Sequence, residues 1–376
     1  MKHAVVILAH KDFPLLYKLV EYFDKDCDVF IHVDKKSIFS PKEMEKLGKI
    51  RQVKAIFRKF SVHWGGFSML RTELYMLSQA MGKSDACYFH LISGQDHPIK
   101  PLNDFLSFFA QANGKNYIEF HHLPYEHWDG CTYRRFQYYY MYDLVEGRSK
   151  KGQELITYFL KKQIQWHIKR SVPKHFDHLY GGSQWFSITR KAMLVLLNYT
   201  QKNPSFYRRM KYTFAPEETY VATILVNLLP KEEIVCDNLR FVRWMYENGG
   251  MPANLSAEHL KWFFLGNNLF VRKVTIQHSS TLIAAIDKYM LTEPRMEQSR
   301  TGVCKVNSLL PYTFDQSIGD AILRLYQLLD IETVLDAGCG AGLYVCYWRR
   351  YGMAVTGCDG NPHTLELSSL LLSANP

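Results

Sequence analysis

Short apolar runs that close on polar or acidic residues alternate with stretches of helical spacing along the first hundred residues. Ala4 to Ala9 is unbroken apolar, the pattern of a strand buried on both faces. Residues 14–23 place apolar positions at helical intervals and predict an amphipathic helix. Asp28 to Asp34 reads as a second strand ending in an acid, residues 68–81 as a helix, and Ala86 to Ser93 as a strand closing in Gly94-Gln95-Asp96. Strands alternating with helices predict an α/β protein with a mostly parallel, doubly wound sheet. Ligands of such sheets sit beyond the carboxyl ends of the strands, so Asp34 and Asp96 are candidate site residues.

Farther along, Gly181 to Ile188 reads as a turn feeding a strand, and residues 190–200 as a helix. An apolar helix is expected from Glu218 to Leu229, a basic strand from Leu239 to Trp244, and a helix over 257–265. Leu269 to Lys273 closes this unit. Residues 289–310 are polar, contain Pro294 and Gly302 and lack periodicity, which places the domain boundary there. The expected organisation is a domain over 1–290, a linker over 291–310 and a fragment over 311–376.

The texture changes between Tyr133 and His175, where Arg134-Arg135, Lys150-Lys151, Lys161-Lys162 and Lys169-Arg170 are interleaved with aromatics. Ile156, Phe159, Leu160, Ile164, Trp166 and Ile168 give an imperfect apolar face with basic flanks, as in interfacial helices. An ordinary surface helix with a solvated basic face fits the same pattern. The formal net charge of +10 favours polyanions, anionic lipid or phosphorylated small molecules as partners. The chain carries no helix-turn-helix, finger or RNA-binding signature, so nucleic acid is not expected. Its eight cysteines lack CxxC spacing, which argues against a zinc site or a disulfide framework. The first ten residues do not read as a signal peptide, and no run approaches the ~18 apolar residues of a membrane span. A cytoplasmic protein, peripheral on the inner face of a membrane, is the expectation.

Phe214-Ala215-Pro216-Glu217-Glu218-Thr219-Tyr220 sets an acidic pair between a proline turn and an apolar run. Proline suits the first helical position, and carboxylates in the first turn meet the positive end of the helix dipole. A carboxylate held there beside a cleft can act as a general base for a hydroxyl. On the local sequence alone, a pair of solvated helix-starting acids is the favoured reading.

Five elements occur in one order: Ile31-His32-Val33-Asp34-Lys35-Lys36; Gly94-Gln95-Asp96-His97-Pro98-Ile99-Lys100; Gly182-Ser183-Gln184-Trp185-Phe186; Ala215-Pro216-Glu217-Glu218; and Leu269-Phe270-Val271-Arg272-Lys273. Together, over roughly residues 1–280, they resemble the Core-2/I-branching glycosyltransferase family, which includes the peptide O-xylosyltransferases. The lack of an anchor or disulfide pattern makes the resemblance that of a bacterial-type member. It implies a GT-A-type, Rossmann-like nucleotide-sugar-binding domain that transfers a sugar from a UDP donor with inversion and without a metal.

On that resemblance Glu218 falls on the catalytic base, and Arg272 and Lys273 on the cations that hold the donor diphosphate. Trp244 and Tyr246 match an aromatic pair that contacts the acceptor sugar; core packing is the other reading of Trp244. Asp34 and Asp96 are expected to order the nucleotide side of the cleft, and Glu119 to contact the acceptor. Asp24-Lys25-Asp26 formally matches an Asp-x-Asp pattern but reads as a solvated helix end. N-acetylglucosamine or xylose are the donor sugars implied. A lipid-linked oligosaccharide destined for a surface polysaccharide is the acceptor that fits the charge.

A second signature lies at the C-terminus. Thr333-Val334-Leu335-Asp336-Ala337-Gly338-Cys339-Gly340-Ala341-Gly342 resembles the first motif of S-adenosylmethionine-dependent methyltransferases. Val355 to Asp359 reads as a following strand ending in a ribose-binding acid. Asp336, Gly338, Gly340 and Asp359 would form one edge of that cofactor site. Only about 35 residues follow Gly342, so the expectation is an incomplete Rossmann-like fragment that does not bind S-adenosylmethionine usefully. A methyltransferase with an N-terminal substrate module, or a non-enzymatic basic membrane-binding protein, are the alternatives.

Overall fold

The computed structural model describes residues 1–125, 133–263, 268–292, 333–337, 348 and 354–358. In chain order the first half comprises β1 (His3–Ala9), α1 (Phe13–Tyr22), β2 (Cys27–Val33), α2 (Pro41–Gly48), β3 (Val53–Phe57) and α3 (Phe67–Lys83). It continues with β4 (Tyr88–Ser93), β5 (Asp96–Pro98), α4 (Leu102–Gln111), β6 (Asn116–Ile118) and β7 (His121–His122). Next come α5 (Arg134–Gln137), α6 (Lys150–Gln165), β8 (Tyr180–Gly181), β9 (Phe186–Thr189), α7 (Arg190–Lys202), α8 (Pro204–Arg209) and α9 (Glu217–Leu228). Then follow β10 (Ile234–Val235), β11 (Arg240–Val242), β12 (Phe270–Arg272), α10 (Ile276–Thr292), β13 (Thr333–Ala337) and β14 (Ala354–Cys358).

Seven strands form one sheet in the order β10-β6-β9-β4-β1-β2-β3. β1 runs parallel to β2 and β4, β2 parallel to β3, and β6 parallel to β10, while β9 is antiparallel to both β4 and β6. The mostly parallel mixed sheet is therefore as the alternation predicted. β1 shows why an unbroken apolar run was needed: all seven of its residues are buried, between one layer containing α3, α7 and α9 and another containing α1 and α4. Covered sheets of this kind require strands that are apolar on both faces.

A three-stranded sheet, β11-β12-β5, stands at the carboxyl edge of the large one. Its antiparallel pairing sets Arg272 opposite Asp96, only three residues beyond the end of β4. The basic strand expected over Leu239 to Trp244 is confined to Arg240–Val242, and the helix expected over 257–265 is a 3-10 segment, Ala257–Trp262.

Two compact units divide the chain: Met1–Ser256 with Leu269–Ile283, and Ala257–Asn268 with Ala284–Pro376. In the second unit β13 and β14 pair in parallel, pairing Asp336 with Gly357, as expected of the two strands of a Rossmann-like edge. Gly338, Gly340 and Asp359 lie outside the described residues, as does most of the expected linker.

Candidate functional site

The acidic pair begins α9, with Pro216 at the N-cap and both Glu217 and Glu218 in the first turn. Ala215 approaches the helix with a left-handed φ of 44° and donates its N–H to the Gly65 carbonyl at 2.9 Å. Gly65 itself has φ +73°, and a Cβ there would meet the Phe214 ring at 2.9 Å, so this crossing needs a glycine. The Gly182 N–H donates to the Glu218 carbonyl at 2.9 Å. A Cβ on Gly182 would fall 1.9 Å from the Glu119 carbonyl oxygen, which brings the β6–β7 turn directly against the start of α9.

The two acids then diverge. The Glu218 side chain keeps 28% of its surface exposed and accepts from Arg135 Nη1 at 3.4 Å. Burial pushes its carboxyl up, and Arg135 pulls the other way. Glu217 is buried, and its carboxyl is pushed up to about 8, first by desolvation and then by the charge of Glu218. Behind it sits Glu73 from α3, fully buried and raised well above the usual carboxylate range by burial and by Glu217, although Gln184 Nε2 donates to it at 3.3 Å. Glu73 Oε1 and Glu217 Oε2 have no hydrogen-bond partner, which suits protonated acids at neutral pH. Glu218, the less buried of the pair and faced by Arg135, is the member best placed to carry a charge and accept a proton. Glu119 is next to it: burial raises its carboxyl, Asp237 and Glu218 add to the rise, and Arg240 opposes it. Asn238 Nδ2 donates to Glu119.

A second cluster, of cations, gathers at the ends of β1 and β12. Lys273 is pushed down to about 8 by burial and then by Arg272, Arg148 and Lys11. His10 is lowered to about 4 by burial and by Lys11, Arg148 and Arg272, with Asp34 opposing. Like charges crowded to this extent are costly without an anion between them. Asp96 offsets part of their field: its Oδ1 accepts from Arg272 Nη1 at 2.8 Å, and Arg240 Nε lies 3.7 Å from the other oxygen. The Arg272 guanidinium also lies over the Trp185 ring, 4.4 Å from its centroid, and Arg148 lies over Trp64 at 5.6 Å.

The structure thus brings Glu218, Glu119, Asp96, Arg272, Lys273 and Asp34 into one region through Arg240 and His10. Asp96, expected to order the nucleotide side of the cleft, is fully buried and is engaged by Arg272, Arg240 and the Ser93 N–H. Its part is to hold the arginines. Asp34 follows β2 and accepts from the Lys36 and Val62 N–H groups at 2.9 and 3.4 Å, shaping the loop at the sheet edge. Trp244 and Tyr246 are 59% and 76% exposed, so core packing does not account for either. Asp24 caps a turn by accepting from the Asp26 N–H at 2.8 Å. It precedes β2, whereas the cation cluster lies past the other end, roughly 20 Å along at the usual strand rise. Among the described residues no group of three or more His, Cys, Asp or Glu could hold a metal ion. Arg135, Glu73, Arg148, Lys11, His10 and Arg240 are site residues that sequence reasoning missed.

The Core-2/I-Branching enzyme family matches residues 4–267, and with them the whole path from β1 to the segment before β12. The chain belongs to the Core-2/I-branching enzyme family. Its mostly parallel mixed sheet agrees with the α/β fold that the resemblance implied. A methyltransferase domain matches residues 335–376. Relatives of this Core-2/I-branching member include "Xylosyltransferase sqv-6" of Caenorhabditis briggsae, 24% identical over 60% of this chain and 26% of that protein. "Xylosyltransferase 1" of Rattus norvegicus is 25% identical over 59% of this chain and 25% of that one. The match spans about a quarter of the length of these relatives. A solved structure, S. aureus TarS 1-349 in complex with UDP-GlcNAc, has a TM-score of 0.24 at 14% identity over 31% of this chain and 34% of that one, too slight a likeness to bear on function.

Proposed function

We propose that this chain is an inverting, metal-independent glycosyltransferase that moves a sugar from a UDP-sugar to a hydroxyl of a glycan acceptor. The observation that carries the proposal is the pairing of an ionisable Glu218 at a helix start with the cluster of Arg272, Lys273, Arg148 and Lys11. Glu218 takes the proton of the attacking hydroxyl. The oxygen displaces UDP from the anomeric carbon, and the cations stabilise the charge that grows on the departing diphosphate. Glu119, Trp244 and Tyr246 border the acceptor. By family analogy the sugar is xylose or N-acetylglucosamine, and S-adenosylmethionine takes no part in the transfer. A bacterial-type, cytoplasmic enzyme acting on a lipid-linked oligosaccharide in surface polysaccharide assembly fits the charge of the chain.

A panel of UDP-sugars tests the reading by thermal shift. The true donor at a hundredfold excess over its Kd stabilises the folded state by about 2.7 kcal/mol and raises the melting temperature accordingly. If no UDP-sugar and no UDP shifts the transition, the donor assignment fails.

The affinity for UDP should also depend on pH with a definite sign. Lys273 is charged below its pKa of about 8 and neutral above it. UDP is therefore held best below that pH, and its Kd rises as pH climbs through it. Lys273→Arg, which stays charged, should flatten the profile. A wild-type Kd that stays level to pH 9.5 or so would remove Lys273 from the diphosphate.

A further inference from the structure

We infer that one face of α6 is a docking surface for an anionic lipid bilayer. α6 is capped by Ser149, whose hydroxyl accepts from the Gly152 N–H at 3.0 Å. It packs inward through Gly152, Ile156 and Gln163. Gln163 fixes it by accepting from the Tyr139 N–H at 2.7 Å and donating to the Tyr139 carbonyl at 3.0 Å. About a quarter-turn around the helix from that seam, Leu155, Tyr158, Phe159 and Trp166 follow one another at helical spacing. They are 41%, 54%, 37% and 62% exposed, so the apolar arc of the helix extends beyond what the protein covers.

Charge identifies the occupant. From Ser149 to His175 the sequence has seven lysines and arginines against the single acid Glu154. Lys162 lies between the exposed rings, 5.8 Å from the Tyr158 centroid and 5.6 Å from that of Trp166. A second copy of so basic a face would repel this one. A nucleic acid would satisfy the cations but leave Leu155 and Phe159 against phosphate and sugar. An anionic bilayer meets both demands, since headgroups pair with the lysines while aliphatic and aromatic tips enter the acyl boundary. The helix, 16 residues long, lies along the surface; among the described residues no helix is long and apolar enough to cross a membrane. Docking does not depend on the sugar-transfer reading. If both hold, Arg148, immediately before the Ser149 cap, sets the donor cluster beside the bilayer.

The full chain, mixed with vesicles of phosphatidylcholine alone or with added phosphatidylglycerol, is the test. Flotation is expected with the anionic vesicles only and is reversed by high salt. Phe159→Ser combined with Trp166→Ser should weaken partitioning by at least about tenfold, as should Lys161→Glu with Lys162→Glu. Both pairs should keep the wild-type circular dichroism and the wild-type thermal shift with UDP. Trp166→Phe should keep partitioning near normal. Failure to float with either vesicle overturns the proposal, as does equal flotation of the double variants. A dimer seen by light scattering and dissolved by Trp166→Ser would assign the face to a second copy instead.

Discussion

Glu218→Gln is expected to lower turnover by at least about 10²-fold while UDP-sugar binding stays near normal. The substitution keeps the shape of the side chain and its place in the first turn of α9. It also keeps an oxygen that can accept from Arg135, now 3.4 Å away. What it removes is the ability to take a proton from the acceptor hydroxyl. The environment makes Glu218 the taker of that proton in the acidic group, because Glu217 is raised to about 8 by burial and then by Glu218, and Glu73 is raised well above the usual carboxylate range by burial and then by Glu217. Glu217→Gln, in contrast, replaces a carboxyl that is protonated at neutral pH with a neutral amide, and should leave turnover within a few-fold. Single-turnover measurements with the donor found in the thermal-shift panel decide between the two. Near-normal turnover in Glu218→Gln, or an equal loss in both variants, would take the base away from Glu218.

The contrast between these residues shows what the sequence makes legible. β1 could be read because a strand buried on both faces writes itself as an unbroken apolar run. Glu218 could be read because Pro216 and the apolar stretch behind it mark a helix start. Arg135 left no such sign. A buried arginine looks like any other in a basic segment until its partner is known, and that partner is 83 residues away. Residues 133–175 illustrate the same point from the other side. Only Lys150–Gln165 forms an amphipathic helix, while Arg135 turns inward to Glu218 and Arg148 to the cation cluster. Asp96 was legible as the acid that follows a strand end but not as to its partners, since these come from β11 and β12, far along the chain.

Lys273→Ala is expected to weaken UDP binding and slow transfer together, by about 10²–10³-fold in kcat/KM, the scale of losing one fixed donor to a developing anion. Lys273 is a better probe than Arg272, which holds Asp96 and covers Trp185. Truncating Arg272 would leave a fully buried carboxylate with no cation nearer than Arg240 at 3.7 Å among the described ion pairs, so a folding loss would mimic a catalytic one. The Lys273 ammonium is hemmed in by like charges and gives up none of that support when removed. Free protein should in fact gain stability, as repulsion within the cluster falls. Arg148→Ala should produce a similar loss, and the double variant less than the product of the two, since both cations would act on one diphosphate. Activity of the wild type in EDTA should be unchanged, because these side chains supply the positive charge. A strict requirement for manganese or magnesium would overturn the assignment. It would also demand a ligand set other than Asp24 and Asp26, which stand before β2 at the opposite end from the cluster.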